Sequence, residues 1–595
     1  MDDLEAKIQS MLEASSVPGA AVVVVENGEA VLARGFGLAD VASGRVMTAD
    51  TRLRAGSLSK NLTTLAAIKL AAEGRLNLDA PISRLAPDVV LENPWEEQHP
   101  LTLRHLLGHT GGLEGSTYYE YATSEPDYPI NRYVREMRGK VAIRWPPGFF
   151  FSYANPGHTL AAAAIEQACA CAFDTWVEEN LFAALGMEQT TFRNAPDDGP
   201  PLASSYHPDG VTESESWLMP IRPSGSLVTT INDLGKLVAW YAEPEPSRSG
   251  LQLADAWLEQ MRAPQQSAAG RQGVASTGYA LGTFKFSAAN GHLLWGHTGS
   301  TEGFQTWLGY EPGGRRGFAL IINGDDGGLR WRLRGLLGAY LYRNEPPATP
   351  VPAIPAKDLG LGTYEGWYAP FSHDMPLRAW LWHVFGAVRL EATDEGLRLQ
   401  PLAPGEPTAD LIPTTPTTFR VGDYPEPVYA LVQDPDGRTV LVGNESYEPI
   451  SGLRAFGRFG LLVGSLLIAV GATLAWLLRW AGHWARGWQR PGTASFGLMV
   501  SGLSMAMLLW LFVRFGLTAP MDALVAIGRP SSISIGLLML SLLGPLAAVF
   551  ALWRAALSTQ PLSARPLAFA SALILVSGWT LFAVNGWVPL MTFQA

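Results

Sequence analysis

Four apolar stretches free of charge close the chain, at 459–478, 493–513, 531–553 and 566–589. Each reaches the roughly 20 residues that a helix needs to cross the hydrocarbon of a bilayer. Tryptophans gather near their ends, at Trp476, Trp480, Trp484, Trp488, Trp510, Trp553 and Trp587, as in an interfacial belt. Four such runs in succession read as membrane spans rather than core helices, so 456–595 is expected to be a four-helix transmembrane bundle. No ionisable residue lies within the four stretches, which leaves an ion or proton path without residues to carry it. The expected role is that of an anchor.

Upstream of the bundle the chain divides by composition. Asn344 to Pro355 holds five prolines in twelve residues, and such a segment is extended and stiff. We place the linker at 346–357. Beyond it, 358–451 alternates as strands do, in Ala387–Ala392, Leu397–Gln400 and Thr439–Val442, with turns at Thr393–Gly396 and Asp434–Gly437. A small antiparallel β module, barrel-like, is expected there. Before the linker, residues 1–345 form the largest unit. It opens on an amphipathic helix at Met1–Lys7, which does not have the character of a signal peptide. A hairpin follows about Asn27-Gly28. A mostly helical stretch runs from Thr51 to Ala242, and strands return between Gly278 and Asn323. The whole is a mixed α+β architecture. At 595 residues several domains are expected, and a formal net charge of −11 argues against a nucleic-acid partner.

Chemistry concentrates in three motifs of the first unit. Ser57-Leu-Ser-Lys60 places an amine one helical turn from a hydroxyl, on the same face. A serine is a weak nucleophile until a neighbour takes its proton, and a buried lysine is one such neighbour. Ser57 is also expected at a helix N-terminus, where a free backbone N–H favours a developing oxyanion. Tyr153-Ala-Asn155 supplies a phenol, which ionises more readily beside an ammonium. It would relay the proton from Ser57 to a leaving group. Asn155 would hold the lysine and a substrate amide. His297-Thr298-Gly299 reads as a strand edge lining a cleft, its glycine admitting close approach of a substrate. The N–H of Ser300 would be the second oxyanion donor.

Taken together with Leu106–Leu113 (LLGHTGGL), Pro146–Tyr153, Pro223–Val228 and Gly296–Phe304, these motifs resemble the β-lactamase/penicillin-binding-protein serine hydrolases. The likeness is to the class C β-lactamase-like branch, in which Tyr-x-Asn stands where other members carry S-D-N. It covers about residues 1–345. It implies an antiparallel sheet flanked by terminal helices, an all-helical lobe, and the site between them. One departure is informative: position 297 is His where β-lactamases and transpeptidases carry Lys. A histidine titrates near 6.5 and suits a substrate carboxylate less than a fixed cation does. In relatives of this branch H-T-G accompanies esterases and D-amino-acid peptidases.

The expected protein is therefore a membrane-anchored serine hydrolase working through an acyl-enzyme on an amide or ester, with D-configured peptides prominent. Ser57, Lys60 and Tyr153 would be catalytic; Asn155, His297, Thr298, Gly299 and Ser300 would bind substrate and oxyanion. Membrane-tethered peptidases of the same family, which remove an acyl-D-amino-acid cap from secreted natural products, have a similar architecture. The alternatives are a true β-lactamase and a non-catalytic penicillin-binding sensor or scaffold. No cofactor is expected, since glycine-rich nucleotide motifs and Cys/His sets with metal spacing are missing from the sequence. With the hydrolase outside, the inner loops carry Arg479, Arg486, Arg490, Arg554 and Arg565, against Arg454, Arg458, Arg514 and Arg529 outside. That margin, and the envelope substrates of similar proteins, favour an extracytoplasmic hydrolase.

Three further features are left to the structure. His105 and His109 stand four apart, as on one helix face, and a structural role is expected of them. Cys169 and Cys171 are two apart in an Ala-rich helical run, where side chains do not face each other, so no mutual disulfide is expected. Tyr118, Tyr119, Tyr121, Tyr128 and Tyr133 form either a rim over the cleft that stacks on substrate or a surface loop with aromatic anchors.

Overall fold

The computed structural model describes residues 2–584 apart from 114–122, 124, 127, 195–198, 215–217, 246–249, 265, 275–278, 302, 373–375, 404, 444, 488–491, 512–530 and 558–564. Its first unit is built on a strand with no polar face. Strand β1 (Gly19–Glu26) carries Ala20 to Val25 at 0 % exposure. Such a run must be covered on both sides. Ala20, Val22 and Val24 pack into one apolar cluster, and Ala21, Val23 and Val25 into another.

The strands β2 (Glu29–Asp40), β3 (Arg45–Val46), β6 (Phe284–Ser287), β7 (Leu293–Thr301), β8 (Phe304–Glu311) and β9 (Arg316–Ile322) complete an antiparallel sheet of order β3-β2-β1-β9-β8-β7-β6. The expected hairpin is present: Glu26 pairs with Glu29, and Asn27 and Gly28 both take the positive φ that such a turn requires. One face is covered by the terminal helices Asp2–Glu13 and Gly327–Leu341, through Leu4, Ile8 and Leu12 and through Leu329, Leu333, Leu337 and Leu341. The other is covered by the helices Ser59–Ala72 and Ile231–Ala242 and the helical lobe. A two-stranded ribbon, β4 (Leu53–Gly56) with β5 (Leu227–Thr229), leads into the Ser59 helix.

Three expectations change here. The Ala-rich helix Asn155–Cys169 ends at the first cysteine. Ala170 then turns left-handed (φ 55°), and Cys171 comes back to form a disulfide with Cys169, Cα to Cα 5.2 Å. Side chains two apart face away from each other only where one helix runs through both, and here the helix stops between them. His105 and His109 do not share a helix either. The helix Leu103–Leu107 is capped at Gly108, and His109 lies beyond it with φ 53°. Of the five tyrosines, Tyr128 and Tyr133 are core residues at 2 % and 0 % exposure; Tyr118, Tyr119 and Tyr121 lie outside the described residues.

The linker is extended and also bonded to both of its neighbours. The N–H of Ala348 donates to Asn290, that of Val351 to Pro425 and that of Ile354 to Pro413. The β module is a closed antiparallel barrel of eight strands: β10 (Gly366–Pro370), β11 (Val388–Thr393), β12 (Gly396–Pro401), β13 (Ala409–Pro413), β14 (Thr418–Val421), β15 (Tyr429–Gln433), β16 (Thr439–Val442) and β17 (Ser446–Ile450). A helix missed in the sequence, Pro376–Phe385, is inserted between β10 and β11, and its Leu381 and Val384 join the apolar cluster of the C-terminal helices.

The barrel also grips the first unit. Val432, Val440 and Val442 share a cluster with Trp145 and Phe150, and Phe371 meets Phe150 edge-on at 5.0 Å. Lys285 bonds Glu426 at 2.5 and 2.6 Å. From β17 the chain passes through Ser451, whose hydroxyl caps the next helix at Arg454, into Gly452–Arg486. That helix, Thr493–Leu511 and Ser532–Ala556 are apolar and long enough to cross a membrane. At the fourth expected span, 566–589, the helix Arg565–Val584 packs with them, and its apolar part within the described residues, Leu567–Ala583, is shorter than the other three.

Phe150 tests the barrel contact. Phe150→Ala should cost about 3–5 kcal/mol of stability by opening a cavity, lowering the thermal midpoint of the full chain in detergent. Because Tyr153 follows three residues later, any activity that depends on Tyr153 should fall at temperatures where the fold is intact. Unchanged activity would show that the barrel does not brace the site.

Candidate active site

The ribbon β4 delivers Ser57 to the rim of the sheet. Gly56 takes a left-handed φ of 52°, and a Cβ there would lie 2.8 Å from the N of Ser300. Gly299 sits equally close on the other side, where a Cβ would be 1.9 Å from the carbonyl oxygen of Ala55 and 3.2 Å from the N of Ser57. Two glycines thus let the backbones 55–57 and 299–300 touch. β6 pairs with β7 only as far as Gly296, so 297–301 extends past the edge strand. The helix itself starts at Ser59 with Leu58 as its cap, so Ser57 stands in the turn before it, where its carbonyl accepts from the N–H of Lys60 at 3.0 Å.

Lys60 has no exposed surface. Its Nζ donates to Ser57 Oγ at 3.1 Å and to the carbonyl of Ser224 at 2.7 Å, and lies 4.8 Å from the ring centroid of Tyr153. Ser224 ties the motifs together: its hydroxyl donates to the carbonyl of Asn155 at 2.7 Å and meets Thr159 Oγ1 at 2.9 Å. The structure therefore brings Ser57, Lys60, Tyr153, Asn155 and the β7 segment 297–300 to one place.

The segment carrying Tyr153 is held by the Leu106–Leu113 stretch. The N–H of Gly148 donates to Thr110, that of Ser152 to the His109 carbonyl, and that of Ala154 to His109 Nδ1 at 3.1 Å. The His109 ring lies 4.2 Å from that of Tyr153 and 4.5 Å from that of Tyr279. His109 is thus part of the site, where the sequence suggested only a structural residue. His105 does have a structural place: it closes a capping box with Thr102.

His297 is fully buried, and this differs from a residue reaching into a cleft. Its Nδ1 donates to the Thr298 carbonyl at 2.5 Å, leaving Nε2 to accept from the Tyr279 hydroxyl at 3.1 Å. Burial, and secondarily the charge of Lys60, push its pKa down to about 3. His109 and His158 are likewise held well below the ordinary value, by burial first, with the charge of Lys60 among the neighbours that add to it. Burial raises the Tyr279 phenol, with Tyr153 adding to the effect. Three neutral imidazoles thus surround the Lys60–Tyr153 pair. Among the described residues they do not gather with other groups into a site that could hold a metal. Thr298 lines a cavity of about 540 Å³ with Phe284, Trp307, Arg334 and, from the barrel, Tyr424 and Tyr429.

A family model described as Beta-lactamase matches residues 4–339. The chain belongs to the β-lactamase family. Among its relatives, Protein flp of Staphylococcus aureus (strain MW2) is 25% identical over 322 residues, 53% of this chain and 61% of that protein. Esterase EstB of Burkholderia gladioli is 31% identical over 221 residues, 35% of this chain and 55% of the esterase. The chain thus spans less than two thirds of the length of either relative. The crystal structure of SurE superposes with a TM-score of 0.51 at 21% identity, covering 76% of this chain and 98% of SurE. That share exceeds what residues 4–339 provide, so the likeness in fold runs on into the barrel.

Within this β-lactamase-family frame, the residues that the motifs did not reveal are Ser224, His109, His158, Tyr279 and Phe284. Ser224 and His109 lie in stretches already singled out, Pro223–Val228 and Leu106–Leu113. Tyr279 and Phe284 carry no local signal; they meet His297 only through the pairing of β6 with β7 and the approach of the chain before it.

The buried imidazole predicts a pH dependence. Between about pH 6.5, where an unfolded histidine titrates, and about 3, where His297 does, the unfolded chain binds a proton that the folded chain does not. Stability should therefore fall as pH falls through that window and level off above it. His297→Gln, which keeps an acceptor for Tyr279, should make the decline shallower by up to one proton's worth in urea titrations at pH 4 to 7. An identical slope would mean that the imidazole is not held neutral.

Proposed function

We propose that this protein is a membrane-anchored serine hydrolase that opens an amide or ester through an acyl-enzyme, preferring esters or D-configured peptides to β-lactams. The observation that carries the reading is the buried ammonium of Lys60, 3.1 Å from Ser57 Oγ and within cation–π range of Tyr153.

In this reading Ser57 Oγ attacks the carbonyl carbon, and its proton passes to Tyr153, ionised as a phenolate beside the Lys60 ammonium. The oxyanion is met by the N–H groups of Ser57 and Ser300, whose backbones Gly56 and Gly299 bring together. The pair returns the proton to the leaving amine or alcohol as the bond to carbon breaks. Water, deprotonated by the same pair, then attacks the ester on Ser57 and releases the acid. Asn155 and the backbone of 298–300 orient the substrate, and His297 acts through Tyr279 and the Thr298 carbonyl. The cavity that begins at Thr298 gives room to an aromatic or apolar substituent.

Two features favour esters and peptides over β-lactams. Position 297 holds a neutral imidazole instead of a fixed cation, so the usual anchor for a penicillin carboxylate is missing there. Moreover, one relative is named an esterase, and SurE has also been solved with D-Leu. The Cys169–Cys171 disulfide suits an oxidising compartment and favours the hydrolase on the outer face of the membrane.

Intact-protein mass spectrometry of the full chain in detergent, with a penicillin, a p-nitrophenyl ester and an N-acyl-D-amino-acid amide, tests this. A transient adduct with product accumulating is expected from the ester or the D-amide. Ser57→Ala should form none and lose at least about 10⁴-fold in turnover. Nitrocefin turnover faster than either would make the protein a β-lactamase; a persistent adduct without product would make it a sensor. Gly299→Ala provides a second check. Its methyl would force β7 away from Ala55 and Ser57, and kcat should drop by about 10²–10³-fold, as when an oxyanion donor is lost. Near-normal kcat in that variant would remove Ser300 from the oxyanion site.

A further inference from the structure

The four C-terminal helices part at the end away from the barrel. A cavity of about 770 Å³ opens there and is bounded by all four of them. That volume falls in the range of ligand sites. Its long wall is one stripe of the first helix, at spacings of three and four: Gly471, Ala472, Ala475 and Trp476 lead to Arg479. Small side chains make this wall a smooth apolar trough. Arg554, from the end of the third helix, stands on the opposite side, its Nε donating to Thr493 Oγ1 at 2.8 Å.

The lining holds two arginines and no carboxylate. The imbalance extends to the whole domain. Residues 452–595 contain nine arginines and one acidic residue, Asp522. Among the described residues the cavity end carries Arg479, Arg486 and Arg554, and no carboxylate stands with them. Cations gathered at the rim of an apolar trough call for a ligand with an anionic head and an apolar tail. Guanidinium groups pair with phosphate in two-pronged fashion. Trp476 stacks on Trp480 at 5.5 Å on the same helix, at the level where aromatic side chains meet lipid headgroups.

We propose that this cavity binds an anionic phospholipid. Its phosphate sits between Arg479 and Arg554, and an acyl chain lies along the Gly471-Ala472-Ala475 wall. The proposal rests on reading the helices as membrane-embedded. It places the basic end in the leaflet opposite the hydrolase.

The test uses the full chain in detergent, with phosphatidylglycerol and phosphatidylcholine supplied in equal amounts and retained lipid read by native mass spectrometry. Phosphatidylglycerol should be retained at least about fivefold over phosphatidylcholine, the factor to which about 1 kcal/mol corresponds. Arg479→Gln with Arg554→Gln should abolish the preference, and Arg486→Gln should leave it. Turnover of a soluble ester should be unchanged in both variants. Should the double variant fail to fold, Arg554→Lys serves instead: it keeps the charge but loses the fork, and the preference should fall by about half. Equal retention by the wild type, or a preference that survives in the double variant, would overturn the lipid site. Displacement of the lipid by millimolar glycerol phosphate would reassign it to a free anion. Alkaline carbonate separates the two readings. A chain released from membranes would overturn the membrane reading and the site with it, whereas a chain retained with no lipid preference overturns the site alone.

Discussion

An ammonium group sealed from water is the constraint on which the site depends. A buried charge is tolerated only where hydrogen bonds replace its hydration. Lys60 is supplied by Ser57 Oγ, the Ser224 carbonyl and the face of Tyr153, which come from three separate segments. Holding the lysine therefore fixes the relation between the ribbon, the helical lobe and the Tyr153 segment. The surrounding histidines follow from the same constraint. A second cation beside Lys60 would be repelled, and burial already disfavours one, so His109, His158 and His297 stay neutral and act as spacers and hydrogen-bond partners.

Support for this arrangement comes from outside the hydrolase unit as well. The segment 145–153 is held on one side by the Leu106–Leu113 stretch, through backbone bonds to His109 and Thr110. On the other it is packed by barrel valines and Phe371. The barrel is thus a wall of the unit that carries Tyr153, and more than a spacer between hydrolase and membrane. The linker, bonded at Ala348, Val351 and Ile354, adds to that union.

Much of this was legible in the sequence. Ser57 and Lys60 are close along the chain, and helical spacing alone brings them together. The Asn27-Gly28 hairpin, the barrel strands and the apolar helices are likewise local patterns. What escaped depended on where elements stop or on distant contacts. The Cys169–Cys171 disulfide needed the left-handed turn at Ala170. The inward turn of His297 needed Tyr279, eighteen residues away and joined to it only across the sheet edge. The helix Pro376–Phe385 is short and apolar, and its partners belong to another part of the chain.

The single residue between the last barrel strand and the first long helix has a mechanical meaning. Ser451 caps that helix, and Trp367 of β10 meets Phe456 on its first turn at 4.9 Å. No flexible tether intervenes, so barrel and helix turn together. With the helices embedded in a bilayer, the mouth of the site keeps a set height and tilt above the lipid plane. A substrate confined to that surface would then meet Ser57 by a lateral search instead of one in three dimensions.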